Sequence, residues 1–583
     1  MNLIPKVKEF STQEGFLAKK EICFVETGLD DRLISALRKL PCSPDGVKLE
    51  IFIENERLCG GAGVLEAGRR EYYELKILAE YIEISANSLA GVFYAIQTLR
   101  QLFKEEKVPC MLIKDWPDFA HRGFYHDVTR GKIPTMETLK KLIDDMAFYK
   151  LNSLQLYIEH VFEFEETKAL RESAGYLRAE EIRELDAYCR ENFIEFIPSL
   201  STFGHLYELL QQPQFRHLQV VKDYTPEANF WQARMHHHTI DPLNPESIEV
   251  IKSMIDQYAP HFTSDSFNIC CDETFDLNRY GEEGFEVGKI YVDFVKKIIA
   301  HVQEKGKTVM MWADILLQHP ETIKELSDDI IFLNWYYHEN TDEMEKKIAL
   351  MAQSGKKQFV CPGTTTWNYL CERVKVAETN ITKMIEIGHK YGAEGVLNTN
   401  WGDWGNPCSM ELGMYGMVLG AEKSWSVETE PDDAFYGAVN KLLYGSETGV
   451  KSLMELSAMH EHVAWTRVCH NYFAHRYANG EGMKFISLDE VKLVQKAYTE
   501  FLNRLSEERW GNDEFRKEML IAAEGLCVMA EILAGMAGDK VEPMADHAAW
   551  LERYRESWLR KNQPSELYRI EEMFEYLQFV IDR

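Results

Sequence analysis

The sequence predicts an α/β fold, a (β/α)₈ TIM barrel that carries a small N-terminal α/β domain and a C-terminal helical domain. Eight short apolar runs recur between about residues 120 and 430, and helical patterns separate them. After about residue 435 the pattern is helical throughout. Because a chain of 583 residues exceeds the size at which one core usually splits, we predict domains at residues 1–115, 116–432 and 433–583.

The first 115 residues mix strand and helix patterns. VKLEIFI at 47–53 and KILAEYIEISA at 76–86 are typical of strands, and LAGVFYAIQTLRQLF at 89–103 has the spacing of an amphipathic helix. These patterns predict a small α/β domain. KDWPDFAHRG at 114–123 contains a proline and marks its boundary.

The barrel prediction depends on eight apolar runs of strand length. METLKKLIDDMAFYK at 136–150 and AEEIRELDAYCREN at 179–192 have the pattern of the helices expected between strands. The longest interval, about 199 to 266, predicts an elaborated loop. The predicted barrel strands are RGFYHD (122–127), SLQLYI (153–158), IEFIP (194–198), FNICC (267–271), TVMMW (308–312), IIFLNW (330–335), QFVC (358–361) and GVLNTNW (395–401).

Polar and aromatic residues gather just after these runs. Active sites of barrel enzymes are built at the C-terminal strand ends, so the pattern predicts one shared pocket, rich in tryptophan and carboxylate. The candidate site residues are Arg130, Glu159, His205, Asp272, Glu273, Trp312, Trp335, Tyr336, Trp367, Asn368, Trp401, Asp403 and Trp404.

Charge and composition exclude several classes of protein. The formal net charge of −29 disfavours nucleic acid and anionic membrane surfaces as partners. The N-terminus lacks an apolar leader, and twelve thinly spread cysteines without a CxxC pair are typical of a reducing compartment, so we expect a cytoplasmic protein. No glycine-rich phosphate loop or Rossmann fingerprint is found, and we predict no cofactor.

Two groups of residues contain potential metal ligands, but their spacing does not favour a metal site, and we predict none. Cys270 and Cys271 are adjacent, and successive strand side chains point to opposite faces, so their thiols would not readily share one ion. The consecutive histidines at 236–238 lack the spacing that aligns two imidazoles on a helix face. A loop that borders the pocket is the better interpretation of these histidines.

The stretch NICCDET at 268–274 ends an apolar run in two adjacent acids, Asp272 and Glu273. Acids are costly to bury there unless something uses or satisfies them. Aromatic faces cover the C–H faces of a sugar ring, while Asp, Asn and Arg bind its hydroxyls, so the pocket suits a carbohydrate. The acid pair then indicates cleavage of a glycosidic bond.

Adjacent acids do not fit a retaining glycosidase that uses a protein nucleophile. Such enzymes place two carboxyl groups about 5–5.5 Å apart on either side of the bond, whereas neighbouring side chains at a strand end diverge. One resolution is substrate assistance, in which the 2-acetamido oxygen of the sugar attacks the anomeric carbon. One acid then protonates the leaving oxygen, and its neighbour holds the acetamido nitrogen.

Six motifs follow one another along the barrel region: DWPDFAHRGFYHDVTRGKIP, FIPSLSTFGH, NICCDE, VMMWADI, FLNWYY and NTNWGDWG. In this order they resemble glycoside hydrolase family 20, the β-N-acetylhexosaminidases, in a divergent, intracellular-type branch. LIPKVKEFSTQEGF and GVFYAIQTLRQLF resemble the small α/β domain that precedes the barrel in that family. The resemblance implies that Glu273 is the general acid/base and that Asp272 orients the acetamido group.

The same resemblance implies roles for the pocket residues. Arg130 and Asp403 match residues that bind sugar hydroxyls, and His205 matches the histidine of the third strand. The walls of the acetamido pocket match Trp312, Trp335 and Trp401.

Two runs depart from the family pattern. IEHV at 158–161 replaces the usual T-D-D-Q, and Glu159 is our candidate for the support of the catalytic acid. PGTTTWNYL replaces a run with Tyr and Asp, which leaves the donor to the acetamido oxygen open. Its candidates are Trp367, Asn368, Tyr369 and Tyr336.

The sequence therefore predicts a retaining exo-β-N-acetylhexosaminidase that removes terminal β-linked GlcNAc or GalNAc through an oxazolinium-type intermediate. The substrate would be a small molecule or an oligosaccharide, and the C-terminal helices are expected to offer a homodimer interface. Two alternatives stay open. One is an amino-sugar-binding barrel that does not hydrolyse, and the other is a barrel glycosidase with a protein nucleophile.

Overall fold

The fold class predicted from the sequence is confirmed by a computed structural model, which describes residues 2–54, 66–171, 175–222, 229–236 and 238–583. In this part of the chain a six-stranded sheet is followed by a closed parallel barrel of eight strands and then by a helical C-terminal region.

The N-terminal sheet has six strands: β1 Glu9–Phe16, β2 Ile22–Cys23, β3 Val47–Ile53, β4 Tyr73–Ile77, β5 Tyr81–Ala86 and β6 Pro109–Asp115. Their order in the sheet is β1-β6-β4-β5-β3-β2, and the helix Leu89–Leu102 packs against β4 and β5. Ser88 caps this helix by accepting a hydrogen bond from the Gly91 N–H (3.2 Å), and its many buried apolar residues explain why it belongs to the core. The other helices in the described residues of this part are Asp31–Leu37 and Glu66–Glu71.

The barrel strands are β7 His121–Asp127, β8 Ser153–Ile158, β9 Glu195–Leu200, β10 Ser266–Asn268, β11 Thr308–Trp312, β12 Ile331–Trp335, β13 Lys357–Cys361 and β14 Gly395–Asn400. The barrel closes because β14 pairs with β7, Gly395 opposite His121, in parallel register. The ends of the predicted runs lie within two residues of the observed strand ends, except that β10 ends at Asn268 and not at Cys271.

Helices cover the outside of the barrel. Thr135 and Asn244 cap two of them, and Pro245 begins the second, where its missing N–H costs nothing. The interval predicted as a loop therefore contains a full barrel helix as well as two short helices, Tyr207–Gln211 and Phe230–Met235. The barrel helices are Met136–Phe148, Ala179–Glu191, Pro245–Tyr258, Val287–Glu304, Asp314–Gln318, Thr341–Gln353, Val374–Lys390 and Met414–Trp425, and Asn278–Glu282 lies after β10.

The C-terminal region is all helical and centres on the helix Asp513–Met536. Among the described residues this helix is long and apolar enough to cross a membrane, but 72% of its most apolar window is buried by the neighbouring helices. Core packing accounts for its composition. The other helices are Asp433–Val439, Gly449–Met459, Trp465–Tyr477, Leu488–Glu507, His547–Lys561 and Leu567–Ile581, with a π-helix at Asn440–Tyr444.

Two hydrophobic clusters lie among the residues that the structure describes. One runs continuously through all three parts, from Leu3 to Leu577, so the division of the chain after residues 115 and 432 stays a prediction. The second fills the barrel interior and is mainly aromatic towards the C-terminal strand ends. The candidate site lies above this second cluster.

Candidate active site

The acid pair lies on an unusual backbone segment that begins where β10 ends. Cys270, Cys271 and Glu273 all adopt left-handed conformations, with φ of 56°, 67° and 50°. Such conformations cost a non-glycine residue roughly 1–2 kcal/mol each, so surrounding contacts must hold them. The segment is therefore a turn and not a continuation of the strand.

Side chains from neighbouring elements hold this turn through its backbone groups. Asn268 Oδ1 accepts the Cys270 N–H (2.9 Å), and the Tyr291 hydroxyl donates to the Cys271 carbonyl (2.8 Å). Asp314, just after β11, accepts the Glu273 N–H (3.0 Å). Burial and the neighbouring Asp272 charge raise the pKa of Asp314 to about 7.

The turn makes the two acids converge, which corrects the expectation that they diverge. His205 Nε2 lies 3.2 Å from Asp272 Oδ2 and 3.3 Å from Glu273 Oε2. The expectation assumed strand geometry, in which neighbours point to opposite faces, and the left-handed residues break that alternation. Both acids are therefore held on the same side of the pocket.

The carboxylates in turn control the charge of His205. Burial of the ring opposes protonation, but Asp272 and Glu273 outweigh it and raise the pKa of His205 to about 10. Arg130, with Nη2 3.2 Å from His205 Nδ1, opposes them. His205 thus lies between the acid pair, at its Nε2, and the arginine, at its Nδ1.

His205, Asp272 and Glu273 are also the described residues that could hold a metal ion, since their ligand atoms lie within 4.8 Å of one another. His205 Nε2 already lies at hydrogen-bond distance from one carboxylate oxygen of each acid, so the three side chains satisfy one another without an ion. The set therefore fits a hydrogen-bonded network.

Arg130 is the centre of that network and is only 5% exposed. Its guanidinium donates to Asp403 Oδ1 (2.5 Å), Glu159 Oε1 (3.3 Å) and the Tyr157 hydroxyl (3.3 Å). Its charge also lies 5.3 Å from the ring centre of Trp401, within cation–π range. Three strand ends are joined by this one side chain.

Glu159 supports Arg130 and not the catalytic acid, which corrects the prediction from the sequence, because His205 occupies the place beside Glu273. The Tyr157 hydroxyl donates to Glu159 Oε1 (2.8 Å). Burial raises the pKa of Glu159, but His160 and Arg130 outweigh that effect and lower it to about 2. Glu159 is therefore a permanent anion that fixes the arginine.

Aromatic rings wall the pocket. Trp312 and Trp401 lie 5.9 Å apart between ring centres, and Trp335 stacks on Tyr337 at 5.1 Å. Trp367 closes the wall edge-on to Tyr337, also at 5.1 Å. Two further rings, Tyr125 and Tyr157, pack beneath Trp401; they lie within strands and not after them, so the strand-end pattern does not predict them.

Tyr337, and not the predicted Tyr336, faces the pocket. Trp335 and Tyr337 belong to the barrel-interior cluster, whereas Tyr336 packs in the outer core. The Tyr337 oxygen accepts the Trp401 indole N–H at 2.8 Å. The alternation of side chains beyond β12 could have identified Tyr337, since it lies two residues after the inward Trp335.

Trp404 and the residues after Trp367 contribute less than predicted. The Trp404 ring lies 4.9 Å from His470 on the C-terminal helices, outside the pocket cluster. Asn368 has a left-handed backbone (φ 70°), and its Oδ1 is buried without a hydrogen bond among the described residues. Tyr369 turns away to His460, 5.2 Å between rings. Of the three histidines at 236–238, His237 lies outside the described residues.

We expect Gly204→Ala to lower activity because a Cβ there would overlap the carbonyl oxygen of Asp272. A displacement of about 1 Å at reacting groups can cost about 10²-fold in rate. The measurement is kcat alongside the thermal midpoint. Gly437→Ala is the control, since its Cβ meets only Asn2 at 3.9 Å and alanine favours its helix. Unchanged kcat in Gly204→Ala would show that the turn tolerates displacement.

The fold and the site together define a class of protein, the barrel glycoside hydrolases. Carboxylates converge at the strand ends beside an arginine network and tryptophan walls. The model "Glycosyl hydrolase family 20, catalytic domain" matches residues 119–386, and "Glycosyl hydrolase family 20, domain 2" matches residues 1–116. Together they match more than half of the chain, which belongs to glycosyl hydrolase family 20.

Individual relatives are distant. A Beta-hexosaminidase of Emericella nidulans is 26% identical over 310 residues, covering 46% of this chain and 50% of the relative. The Flavobacterium johnsoniae chitobiase structure has a TM-score of 0.60 at 17% identity, covering 96% of this chain and 98% of its own. The structure of a Vibrio harveyi GH20 exo beta-N-acetylglucosaminidase has a TM-score of 0.57 at 19% sequence identity, and the match covers 75% of this chain and 76% of that one. The chain spans about half the length of the curated relatives it matches, or less.

Proposed function

We propose that this protein is a retaining exo-β-N-acetylhexosaminidase that works by substrate assistance. The observation that carries the proposal is the convergence of Asp272 and Glu273 on His205 Nε2, at 3.2 and 3.3 Å. Two acids on the same side of a pocket suit one proton donor and one support for a nucleophile that belongs to the substrate. The family membership supports the same conclusion.

Glu273 is the more exposed acid of the pair, with 22% of its side chain accessible against 9% for Asp272. In the first step Glu273 donates a proton to the leaving oxygen while the 2-acetamido oxygen attacks the anomeric carbon. In the second step Glu273, now a base, takes a proton from water as the water opens the oxazolinium ring. Asp272 balances the positive charge on the acetamido nitrogen between these steps.

The acetamido group would lie among the tryptophans, with Tyr337 as the donor to its oxygen. The Trp401 N–H donates to the Tyr337 oxygen (2.8 Å), and the Thr399 hydroxyl gives its one proton to the Pro362 carbonyl (2.9 Å). The Tyr337 hydroxyl is therefore a donor, and a substrate acetamido oxygen would take its proton in place of Thr399 Oγ1 (3.2 Å). Burial raises the pKa of Tyr337 well above its usual value, so the hydroxyl stays protonated at working pH. We therefore propose Tyr337 as the donor to the acetamido oxygen, in place of the four candidates from the sequence, Trp367, Asn368, Tyr369 and Tyr336.

We expect Tyr337→Phe to lower kcat/KM for N-acetyl substrates by about two- to tenfold, the worth of one neutral hydrogen bond. The ring and its stacking stay, so the thermal midpoint should change little. Steady-state kinetics with 4-nitrophenyl N-acetyl-β-glucosaminide make the measurement, and Tyr336→Phe, on the outer side, is the matched control. Equal losses in both variants would remove Tyr337 from the pocket.

The main test compares three substrates: the 4-nitrophenyl β-glycosides of N-acetylglucosamine, N-acetylgalactosamine and glucose. The proposal expects turnover of the acetamido sugars only, and the ratio between the first two gives the preference at O4. A protein-nucleophile glycosidase would hydrolyse the glucoside as well. A binding protein would bind the acetamido sugars and release no nitrophenol from any of the three.

We also propose cytoplasmic residence and self-association. The eleven cysteines in the described part of the chain are all unpaired and nine of them are buried, which supports a reducing compartment. Large exposed side chains on the C-terminal helices support a homodimer, among them Tyr477 (54% exposed) and Phe579 (51%). Cell fractionation tests the cytoplasmic residence. Light scattering tests the homodimer: wild type should have the mass of a dimer and Phe579→Glu that of a monomer, and a monomeric wild type would contradict the proposal.

A further inference from the structure

Lys132 is a buried lysine for which the mechanism above has no role. It is 7% exposed and lies two residues after Arg130, in the loop that follows β7. Its ammonium donates to the carbonyl oxygens of Cys408 (2.6 Å) and Pro407 (3.3 Å), in the loop that follows β14 and carries Asp403. A buried ammonium is costly, so a lysine kept at this junction calls for a reason.

Aromatic rings of the C-terminal helix His547–Lys561 enclose the ammonium. Lys132 Nζ lies 4.8 Å from the ring centre of Trp558 and 5.7 Å from that of Tyr554, within cation–π range. The Tyr554 hydroxyl also donates to the Pro407 carbonyl (3.1 Å). The lysine, the loop after β14 and this helix therefore form one assembly.

The two loops also meet on the other side of Arg130 and Asp403. The Gly402 N–H donates to Asp127 Oδ2 (3.0 Å). A Cβ on Gly131 would lie 2.6 Å from the Gly405 carbonyl oxygen, so the two backbones are in direct contact. The Arg130–Asp403 ion pair is thus flanked by a cross-link at Asp127 and another at Lys132.

A ligand role for Lys132 itself does not fit the space beside it. The cavity that borders Lys132, Cys408 and Trp558 has a volume of about 40 Å³, room for a few water molecules and too small for a sugar. The hydrogen bonds of the ammonium point to loop carbonyls. Its effect on a substrate must pass through the loops.

We propose that Lys132 is a positioning residue for substrate binding: it ties the loop after β7 to the loop after β14 and so holds Arg130 and Asp403 at the spacing that binds the terminal sugar. The proposal rests on the proposed function, since the sugar is the ligand of this pair. It also gives the C-terminal helices a role in the active site, through Trp558 and Tyr554.

The protonation state of Lys132 gives a second way to test the proposal. Burial lowers the pKa of Lys132 to about 8, so the ammonium is present below that pH and is lost as the pH rises through it. Arginine at this position would stay charged. The ionisable groups that face Lys132 from the surrounding elements are Cys408, Glu411, Glu518, Lys561 and His126.

The first experiment compares Lys132→Met with wild type on 4-nitrophenyl N-acetyl-β-glucosaminide. Because the Arg130–Asp403 pair binds sugar in both ground and transition states, we expect KM to rise about tenfold while kcat changes by less than about threefold. The matched control is Lys150→Met, since Lys150 is also a buried lysine over an aromatic ring, Trp425, 4.4 Å away. Its KM should equal that of wild type.

The second experiment measures binding of N-acetylglucosamine from pH 6 to 9.5 by calorimetry. Wild-type affinity should weaken above about pH 8, whereas Lys132→Arg should keep its affinity there. This comparison tests the proposal even when Lys132→Met does not fold. Unchanged KM in folded Lys132→Met, or the same pH dependence in wild type and Lys132→Arg, overturns the positioning role while the proposed function stands. A wild type inert on every N-acetylhexosaminide overturns the proposed function, and the positioning role with it.

Discussion

Replacing Glu273 by glutamine should lower kcat/KM for an N-acetylglucosamine disaccharide by about 10²–10⁴-fold, the range that general acid–base catalysis supplies. Glutamine keeps the shape of the side chain but can neither protonate the leaving oxygen nor activate water. A nitrophenolate leaving group needs little protonation, so bond cleavage in the 4-nitrophenyl substrate should suffer less. Intermediate hydrolysis then becomes limiting, and a pre-steady-state burst of nitrophenol should appear in the variant.

Stopped-flow and steady-state kinetics on the two substrates test this expectation. Glu372→Gln is the control, because Glu372 is a fully buried acid just before the helix Val374–Lys390, and burial raises its pKa well above the usual value, which favours its neutral form. Its activity should equal that of wild type. Equal losses on both substrates, with no burst, would contradict the acid/base role of Glu273.

Asp272→Asn should lower kcat by about 10²–10³-fold, as removal of one preorganised electrostatic group does in other enzymes. Asparagine cannot balance the charge that develops on the acetamido nitrogen. The variant should also change His205, because the Asp272 charge is the largest of the effects that raise its pKa to about 10. We therefore expect the pKa of His205 to fall in Asp272→Asn.

Nuclear magnetic resonance of the His205 imidazole, with kcat on the 4-nitrophenyl substrate, measures both consequences. The Gly204→Ala variant separates displacement of the turn from loss of charge, since it keeps the Asp272 carboxylate. Wild-type kcat in Asp272→Asn would contradict the role of Asp272 in catalysis. An unchanged pKa of His205 in this variant would contradict the contact between Asp272 and His205.

The barrel could be predicted from sequence because apolar runs and amphipathic helices determine it locally. The site residues followed from one rule, that functional side chains stand just after barrel strands, and this rule selected Arg130, Asp272, Glu273 and Trp401. The rule selects Tyr336, next to Trp335, whereas side-chain alternation brings Tyr337, two positions after Trp335, to the pocket.

The contacts of the site could not be predicted in the same way. The convergence of Asp272 and Glu273 depends on left-handed backbone at Cys270 and Cys271, which tertiary hydrogen bonds from Tyr291 and Asp314 hold against local preference. No periodic pattern encodes such bonds.

Glu159 and Trp404 illustrate the same limit in loops. Glu159 reaches Arg130 while His205 lies beside Glu273, and Trp404 turns to a helix more than sixty residues away in sequence. Loop side chains have no fixed period, so their direction depends on packing across the fold.

The central claim is that the nucleophile belongs to the substrate, and a series of 4-nitrophenyl glycosides with zero to three fluorines on the acetamido methyl group tests it most directly. Fluorine withdraws electrons from the acetamido oxygen and weakens it as a nucleophile, while the fit in the tryptophan pocket changes little. Substrate assistance predicts that kcat falls steeply with each fluorine. A kcat independent of fluorination would assign the nucleophile to the protein and contradict the account.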